Sequence, residues 1–134
     1  MKSFNLLLLI FLTGGTGQSQ NLIGFDAESI KKHMKENFKN MNLEKVANPQ
    51  FSYLKYSDNS DYQTLFFFLG SDSVCKSERL IINQIVKTEK VKEFNSVYRK
   101  NGENRWIDTR NGKKFLIEIR DEKWYSVVTM SPFK

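Results

Sequence analysis

The stretch Tyr62–Leu69 reads YQTLFFFL and organises the fold of this 134-residue chain. Its last five residues are all apolar, and successive side chains of a β-strand point to opposite faces of a sheet. A strand with one solvated face would carry a polar residue at every second position. The run therefore predicts a central strand with little water on either face.

Two more strands are predicted beside this central strand. The aromatic-rich segment Phe51–Tyr56 precedes it, and Val74–Ile82 follows it. The alternation of Val74–Ile82 is poor, so a short helix is the alternative there. The polar segment Ser57–Asp61 separates the first two strands, and its short side chains favour a turn because they can bond their own backbone. The sequence thus predicts a three-stranded meander.

The turn length assigns side chains to the two faces of this meander. If Ser57–Asp61 closes a five-residue loop, Tyr56 lies opposite Tyr62 and shares a face with Phe66 and Phe68. The remaining members of that predicted face are Ser52, Leu54 and Thr64. The other face carries Phe51, Tyr53, Leu65, Phe67 and Leu69. That second set is the more apolar, so we expect it to lie beneath helices.

Two amphipathic helices are predicted. Asp26 is a suitable N-cap for a helix over 27–39. Thr88 is expected to cap a second helix, which Asn101-Gly102 ends. Each helix precedes a group of strands.

The last third of the chain contains the strongest hairpin signal. Asn111-Gly112 suits a type I′ turn, which needs positive φ at both central residues. The two-residue turn places Trp106 opposite Ile117 and Arg105 opposite Glu118. The predicted strands are Arg105–Arg110, Lys113–Ile119 and Trp124–Met130.

The elements together predict an α+β fold in a single domain over residues 20–134. We expect one antiparallel sheet of about six strands with both helices on one face, in the order α-βββ-α-βββ. Each half could be one structural unit, although the identity between the halves is too weak to indicate a repeat. The other face of the sheet is then uncovered.

Residues 1–19 have the pattern of a signal peptide. Lys2 precedes the apolar run Leu6–Leu12, and Gly17 and Ser19 suit the cleavage site, so the mature chain is expected to begin at Gln20. The apolar run is much shorter than the ~20 residues that a membrane-spanning helix needs. We therefore expect a periplasmic or secreted protein with no transmembrane segment in its mature form.

The net charge of the whole chain is +6, and the leader contains one lysine and no acidic residue. A moderately basic exported domain favours acidic partners, such as an anionic envelope component, over nucleic acid. Cys75 is the one cysteine, so no intramolecular disulfide can form and a buried thiol is expected.

The sequence offers little for catalysis or metal binding. His33 and Cys75 are the single residues of their types, and we expect His33 to be exposed on the flank of the first helix. Asp58–Asp61 lacks the ligand spacing of a calcium loop, and a turn explains it. Surface charge pairs explain the remaining candidate carboxylates, which are Asp108, Glu118, Asp121 and Glu122. No catalytic residue, metal ligand or cofactor is predicted.

The predicted binding residues are therefore aromatic: Tyr56, Tyr62, Phe66 and Phe68. An exposed aromatic sheet face with hydroxyl groups is typical of an interface, so we expect a non-enzymatic module that contacts a protein or an envelope component. One alternative is that the C-terminal tail, a loop or a second copy of the chain covers this face. Another is a small extracytoplasmic enzyme of undetermined reaction type.

Two resemblances support an exported protein. Asn21-Leu22-Ile23-Gly24, followed by a helix with Ile30-Lys31-Lys32, resembles the start of small exported proteins of Bacteroidota type, which are mostly uncharacterised. The order of helix and strands is similar to the repeat unit of β-lactamase-inhibitor-like periplasmic domains. That likeness implies protein binding through a sheet face, although this chain lacks the disulfide that those domains often have.

Overall fold

The structure, a computed structural model, describes residues 21–45 and 52–133. The predicted leader over 1–19 lies outside the described residues, as does Phe51. The helices are α1 (Ala27–Asn37) and α2 (Lys87–Val97), and a 3-10 helix (Gln84–Val86) precedes α2. The strands are β1 (Met41–Glu44), β2 (Tyr53–Asp58), β3 (Gln63–Leu69), β4 (Cys75–Asn83), β5 (Arg99–Lys100), β6 (Arg105–Arg110), β7 (Lys113–Asp121) and β8 (Tyr125–Pro132). In this part of the chain no helix is long and apolar enough to cross a membrane.

All eight strands form one antiparallel sheet in the order β1-β2-β3-β4-β8-β7-β6-β5. Each half of the chain is a helix followed by a four-stranded meander, and the two meanders join where β4 pairs with β8. The α+β class and the antiparallel sheet are confirmed. The predicted strand number and order are wrong, because β1 and β5 add one edge strand to each half and give α-ββββ-α-ββββ.

The two helices differ in how well their sequence signals predicted them. The Asp26 side chain accepts a hydrogen bond from the Ser29 backbone at 2.8 Å, which confirms the first N-cap. The predicted Thr88 cap is wrong: α2 begins at Lys87, and Val86 at its N-cap makes no side-chain cap bond. The 3-10 turn that leads into α2 already redirects the chain, and Asn83 caps that turn by accepting from Ile85.

A single apolar core lies between the helices and one face of the sheet. Ile30 and Met34 of α1 and Phe94 of α2 are at most 2% exposed and belong to it. Phe67 and Trp106 are the largest buried sheet residues in that core. Trp106 packs edge-on against Phe94, and its indole nitrogen donates to Asn95 at 2.9 Å. Both helices therefore pack on the same face, as predicted.

The β6–β7 hairpin confirms its predicted turn and register. Asn111 and Gly112 have φ of 52° and 78°, which is the conformation a type I′ turn requires. Trp106 lies opposite Ile117, and Arg105 lies opposite Glu118 with 3.6 Å between the charged groups. The turn and register that the Asn-Gly pair predicts for these two strands are therefore both observed.

The β2–β3 turn has a different register from the one predicted. Tyr56 lies opposite Leu65, and Ser57 lies opposite Thr64, so β2 extends to Asp58. The Asp58 side chain is buried and accepts hydrogen bonds from the backbones of Tyr62 and Gln63. These bonds close a four-residue turn, which moves the β2 residues to the opposite faces from those assigned above.

Candidate functional site

The sheet face opposite the helices, here called the open face, carries the candidate site. Both helices bury their apolar side chains in the core on the other side, so within residues 21–45 and 52–133 no helix packs on the open face. Ile107 and Val127 lie on the open face and are at most 5% exposed, although they are not part of the core. Their strand partners include Arg99 and Arg120, whose aliphatic stems can shield them.

Three aromatic rings and two cations on β2, β3 and β4 form what we call the aromatic patch: Tyr53, Lys55, Phe66, Phe68 and Arg79. The Phe66 and Phe68 rings are stacked at 5.9 Å with 6° between their planes, and Tyr53 lies 5.7 Å and 6.1 Å from them. Lys55 Nζ and Arg79 Cζ lie 5.9 Å and 5.3 Å from the centroids of Phe66 and Phe68. The rings are half-buried, so part of each remains available for contact.

The charged residues of the open face are mostly paired. Lys55 lies 3.3 Å from Glu44, whose pKa is lowered by a hydrogen bond from Ser57 and by Lys55. Arg79 forms no ion pair with any described residue and contacts the Phe68 ring. The guanidinium of Arg79 is therefore the patch cation that can serve a partner's acidic group.

Two of the four predicted binding residues lie in the aromatic patch. Phe66 and Phe68 project away from the helices, as expected, whereas Leu65 and Phe67 lie in the core. Tyr56 lies on the helix side, where it is 4% exposed and packs edge-on against Phe67. The face predicted for Tyr56 is wrong because of the shifted β2–β3 register, and burial raises the pKa of its hydroxyl.

Tyr62 is the fourth predicted residue, and it lies in the β2–β3 turn before β3 begins. It is 44% exposed, and its carbonyl accepts a hydrogen bond from Asn83 at the end of β4. Leu54 was also placed on the uncovered face and is instead buried in the core. The structure thus brings Phe66 and Phe68 together, whereas Tyr56 lies in the core and Tyr62 lies in the turn.

Tyr53, Lys55 and Arg79 are the patch residues that sequence reasoning missed. The observed register pairs Tyr53 with Phe68, Lys55 with Phe66, and Phe66 with Arg79. The sequence did not indicate that Asp58 ends β2 and accepts hydrogen bonds from the backbones of Tyr62 and Gln63, and these bonds determine the register. An Asp at the end of a strand followed by Asn-Ser-Asp is compatible with either turn length.

Glu78 is a buried carboxyl on the helix side of β4. It is 5% exposed, and its Oε2 accepts a hydrogen bond from the Leu22 backbone at 2.6 Å. Burial raises the pKa of Glu78 to about 8, although the Leu22 hydrogen bond and the charge of Arg110 oppose that rise. The carboxyl anchors the segment that leads into α1.

Two further reactive side chains, Cys75 and His33, lie apart from the aromatic patch. Cys75 is buried as predicted, at 1% exposure, and desolvation raises its pKa to about 12. His33 is half-buried rather than exposed, and burial lowers its pKa. Among the residues that the structure describes, no three His, Cys, Asp or Glu side chains group as metal ligands would.

The chain matches no family model, and no curated protein or solved structure matches it. The likeness to exported Bacteroidota proteins and to β-lactamase-inhibitor-like domains therefore remains a prediction.

Proposed function

We propose that this protein is an exported, non-enzymatic binding module that contacts a partner protein through its aromatic patch. The observation that supports the proposal is the stack of Phe66 on Phe68, flanked by Tyr53 and Arg79, on a sheet face where no described helix packs. Stacked rings lose little conformational entropy on binding, and aromatic residues and arginine are enriched at protein interfaces. A rigid, partly exposed group of this kind is suited to act as an anchor.

The charges of the patch favour a partner with an acidic surface. Arg79 has no ion pair in the described part of the chain, and the whole chain carries a net charge of +6. A carboxylate of the partner can bind the Arg79 guanidinium while an apolar side chain packs on the rings. Charge complementarity of this kind steers association and selects among partners.

Export is the second part of the proposal, and it rests on the sequence pattern of residues 1–19. Cleavage after Ser19 leaves the buried residues Leu22 and Ile23 in the mature chain. Both residues belong to the core, so the proposed cleavage removes none of its described members.

The experiment compares partner capture by the mature protein with capture by two double variants. Phe68→Ser with Arg79→Glu alters the patch, and Leu116→Ser with Arg120→Glu makes an apolar-to-serine change and an equal change of charge on β7 of the open face. The proteins are used as bait in envelope extract, and a candidate partner is then purified and titrated by calorimetry. Denaturation curves establish that both variants fold.

The proposal predicts direct binding of the purified partner that the patch variant loses and the β7 variant keeps. Equal loss in both variants, or binding to isolated polysaccharide alone, would contradict a protein-binding patch. Sedimentation of the bait without extract tests the second-copy alternative. A homodimer that dissociates in the patch variant would assign the patch to self-association instead.

A further inference from the structure

A cavity lies at the end of the sheet where the β6–β7 turn meets the end of β8 and the segment before α1. Its volume is about 580 Å³, within the range of about 300–1,000 Å³ that small-molecule sites occupy. Arg110, Lys113 and Lys114 provide its charged wall. The remaining lining residues are Ile23, Gly24, Gly112, Phe115, Pro132 and Phe133.

All the ionisable groups that line this cavity are cationic. Lys113 and Lys114 are exposed and form no ion pair with any described residue. The Arg110 guanidinium donates to the carbonyls of Asn21 and Ile23, so its positive charge is not paired with a carboxylate in these contacts. The cavity therefore presents a concentrated positive potential to an incoming ligand.

Arg110 is held in a fixed position, which makes the cationic wall a built feature rather than a group of mobile side chains. Its guanidinium lies 5.8 Å from the Phe25 ring and 5.0 Å from the Phe115 ring, and the Asn21 carbonyl accepts from it at 2.6 Å. Two aromatic rings and two carbonyls thus fix one charge, while the exposed side chains of Lys113 and Lys114 remain free to adapt to a head group.

The rest of the wall is apolar. Phe115 and Ile23 are buried beneath the cavity at 4% and 6% exposure, whereas Phe133 is 40% exposed at its edge. Such a surface favours a ligand with an apolar body, and the adjacent cations favour an anionic end.

We propose that this cavity binds an amphipathic carboxylate, with its acyl chain on Phe115 and Phe133 and its carboxylate beside Arg110 and Lys113, which pair across the β6–β7 turn. The site is separate from the aromatic patch, because Lys113 begins β7 whereas the patch lies on β2, β3 and β4. Binding here therefore neither requires nor implies the function proposed above.

A second cavity of about 450 Å³ lies beside α1 and β1 and is lined by three other lysines. It is the site with which ligand binding at the first cavity is compared. Lys31 there lies 3.4 Å from Glu28, so part of its charge is already engaged. No arginine fixed by backbone carbonyls lines that cavity. The two sites can be distinguished in solution, because Gly112 reports on the first and Leu43 on the second.

The test is calorimetric titration of the mature protein with monomeric decanoate, decanol and acetate. Lys113→Ala with Lys114→Ala removes the free cations, and Lys32→Ala with Lys92→Ala removes the same charge from exposed helix positions. Phe133→Ala tests the apolar wall while keeping the backbone bond to Lys114. Amide NMR shifts locate the ligand.

We expect decanoate to bind at least tenfold more tightly than decanol or acetate, with the largest shifts at Gly112 and Phe133. The Lys113/Lys114 variant should bind decanoate at least tenfold more weakly, while the Lys32/Lys92 variant binds it as the parent does. The proposal is overturned if decanoate fails to bind at millimolar concentration, if decanol binds equally well, or if the shifts centre on Leu43. Equal weakening in both lysine variants would also overturn it, because that result reports net charge alone.

Discussion

Replacing Glu78 with Gln should abolish a large pH dependence of the stability of this protein. Burial raises the pKa of this carboxyl from 4.5 to about 8, so the native state holds a proton that the unfolded chain releases. Protonation of Glu78 thus stabilises the native state most below pH 4.5, and this stabilisation is lost as the pH rises to about 8. Glutamine retains an oxygen that can accept the Leu22 amide hydrogen bond, which measures 2.6 Å in the parent, but it does not titrate.

The size of the effect follows from linkage. A carboxyl that is protonated in the native state alone changes the free energy of unfolding by at most about 1.4 kcal/mol per pH unit. Between pH 5 and pH 8.5 the parent should therefore lose roughly 2–4 kcal/mol more than Glu78→Gln. Cys75 and Tyr98, which interact with Glu78, do not titrate in this range because burial raises the pKa of both.

Urea unfolding at a series of pH values measures this difference. Trp106 is fully buried, so its fluorescence reports the loss of the core. The lowered pKa of His33 makes stability rise with pH in both proteins, and this contribution cancels when they are compared. Parallel curves for parent and variant would show that Glu78 is ionised in the native state and that the burial argument is wrong.

Three further predictions concern the hairpin, the central strand and the N-terminus. Gly112→Val should lower the free energy of unfolding by more than about 1 kcal/mol, since a β-branched residue is strained at φ 78°, and unchanged urea midpoints would rule out that strain. Phe67→Ala should cost about 3–5 kcal/mol because Phe67 is 1% exposed, whereas half-buried Phe66→Ser should cost clearly less in the same denaturation series. N-terminal sequencing of the exported protein should find Gln20 or Asn21 first, and membrane-bound material that still begins with Met1 would contradict cleavage.

The parts of the fold that the sequence predicted are those set by local chemistry. Asn111-Gly112 determines its own turn, and the Asp26 side chain caps α1 within three residues. The alternation in β3 also divides its side chains correctly, because Leu65 and Phe67 lie in the core while Phe66 and Phe68 do not. These features require no knowledge of distant partners.

The missed features depend on contacts between distant segments. β1 and β5 contain four and two residues, and each exists because it pairs with one longer neighbour. Such short edge strands carry too few residues for an alternation pattern to be read. Their location beside β2 and β6 follows from the three-dimensional arrangement of the sheet.

The candidate site was predicted in part for the same reason. Phe66 and Phe68 follow from alternation within one strand, but Tyr53, Lys55 and Arg79 join them through cross-strand register. A turn of four rather than five residues exchanges the two faces of β2, which moved Tyr56 into the core. The cavity beside the β6–β7 turn brings together three segments that are far apart in sequence, so no local pattern indicates it.

Site-specific photo-crosslinking in living cells tests the proposed binding surface most directly. A photoreactive benzoylphenylalanine replaces Phe68 in the aromatic patch, and in a control protein it replaces Lys92 on the outer side of α2, where the side chain is 70% exposed. Because the photoreactive group captures molecules only within contact distance, the proposed function predicts a discrete protein adduct at Phe68 that is absent at Lys92. An adduct at Lys92 alone, or none at Phe68 with the protein folded and present at its normal level, would contradict binding through the patch.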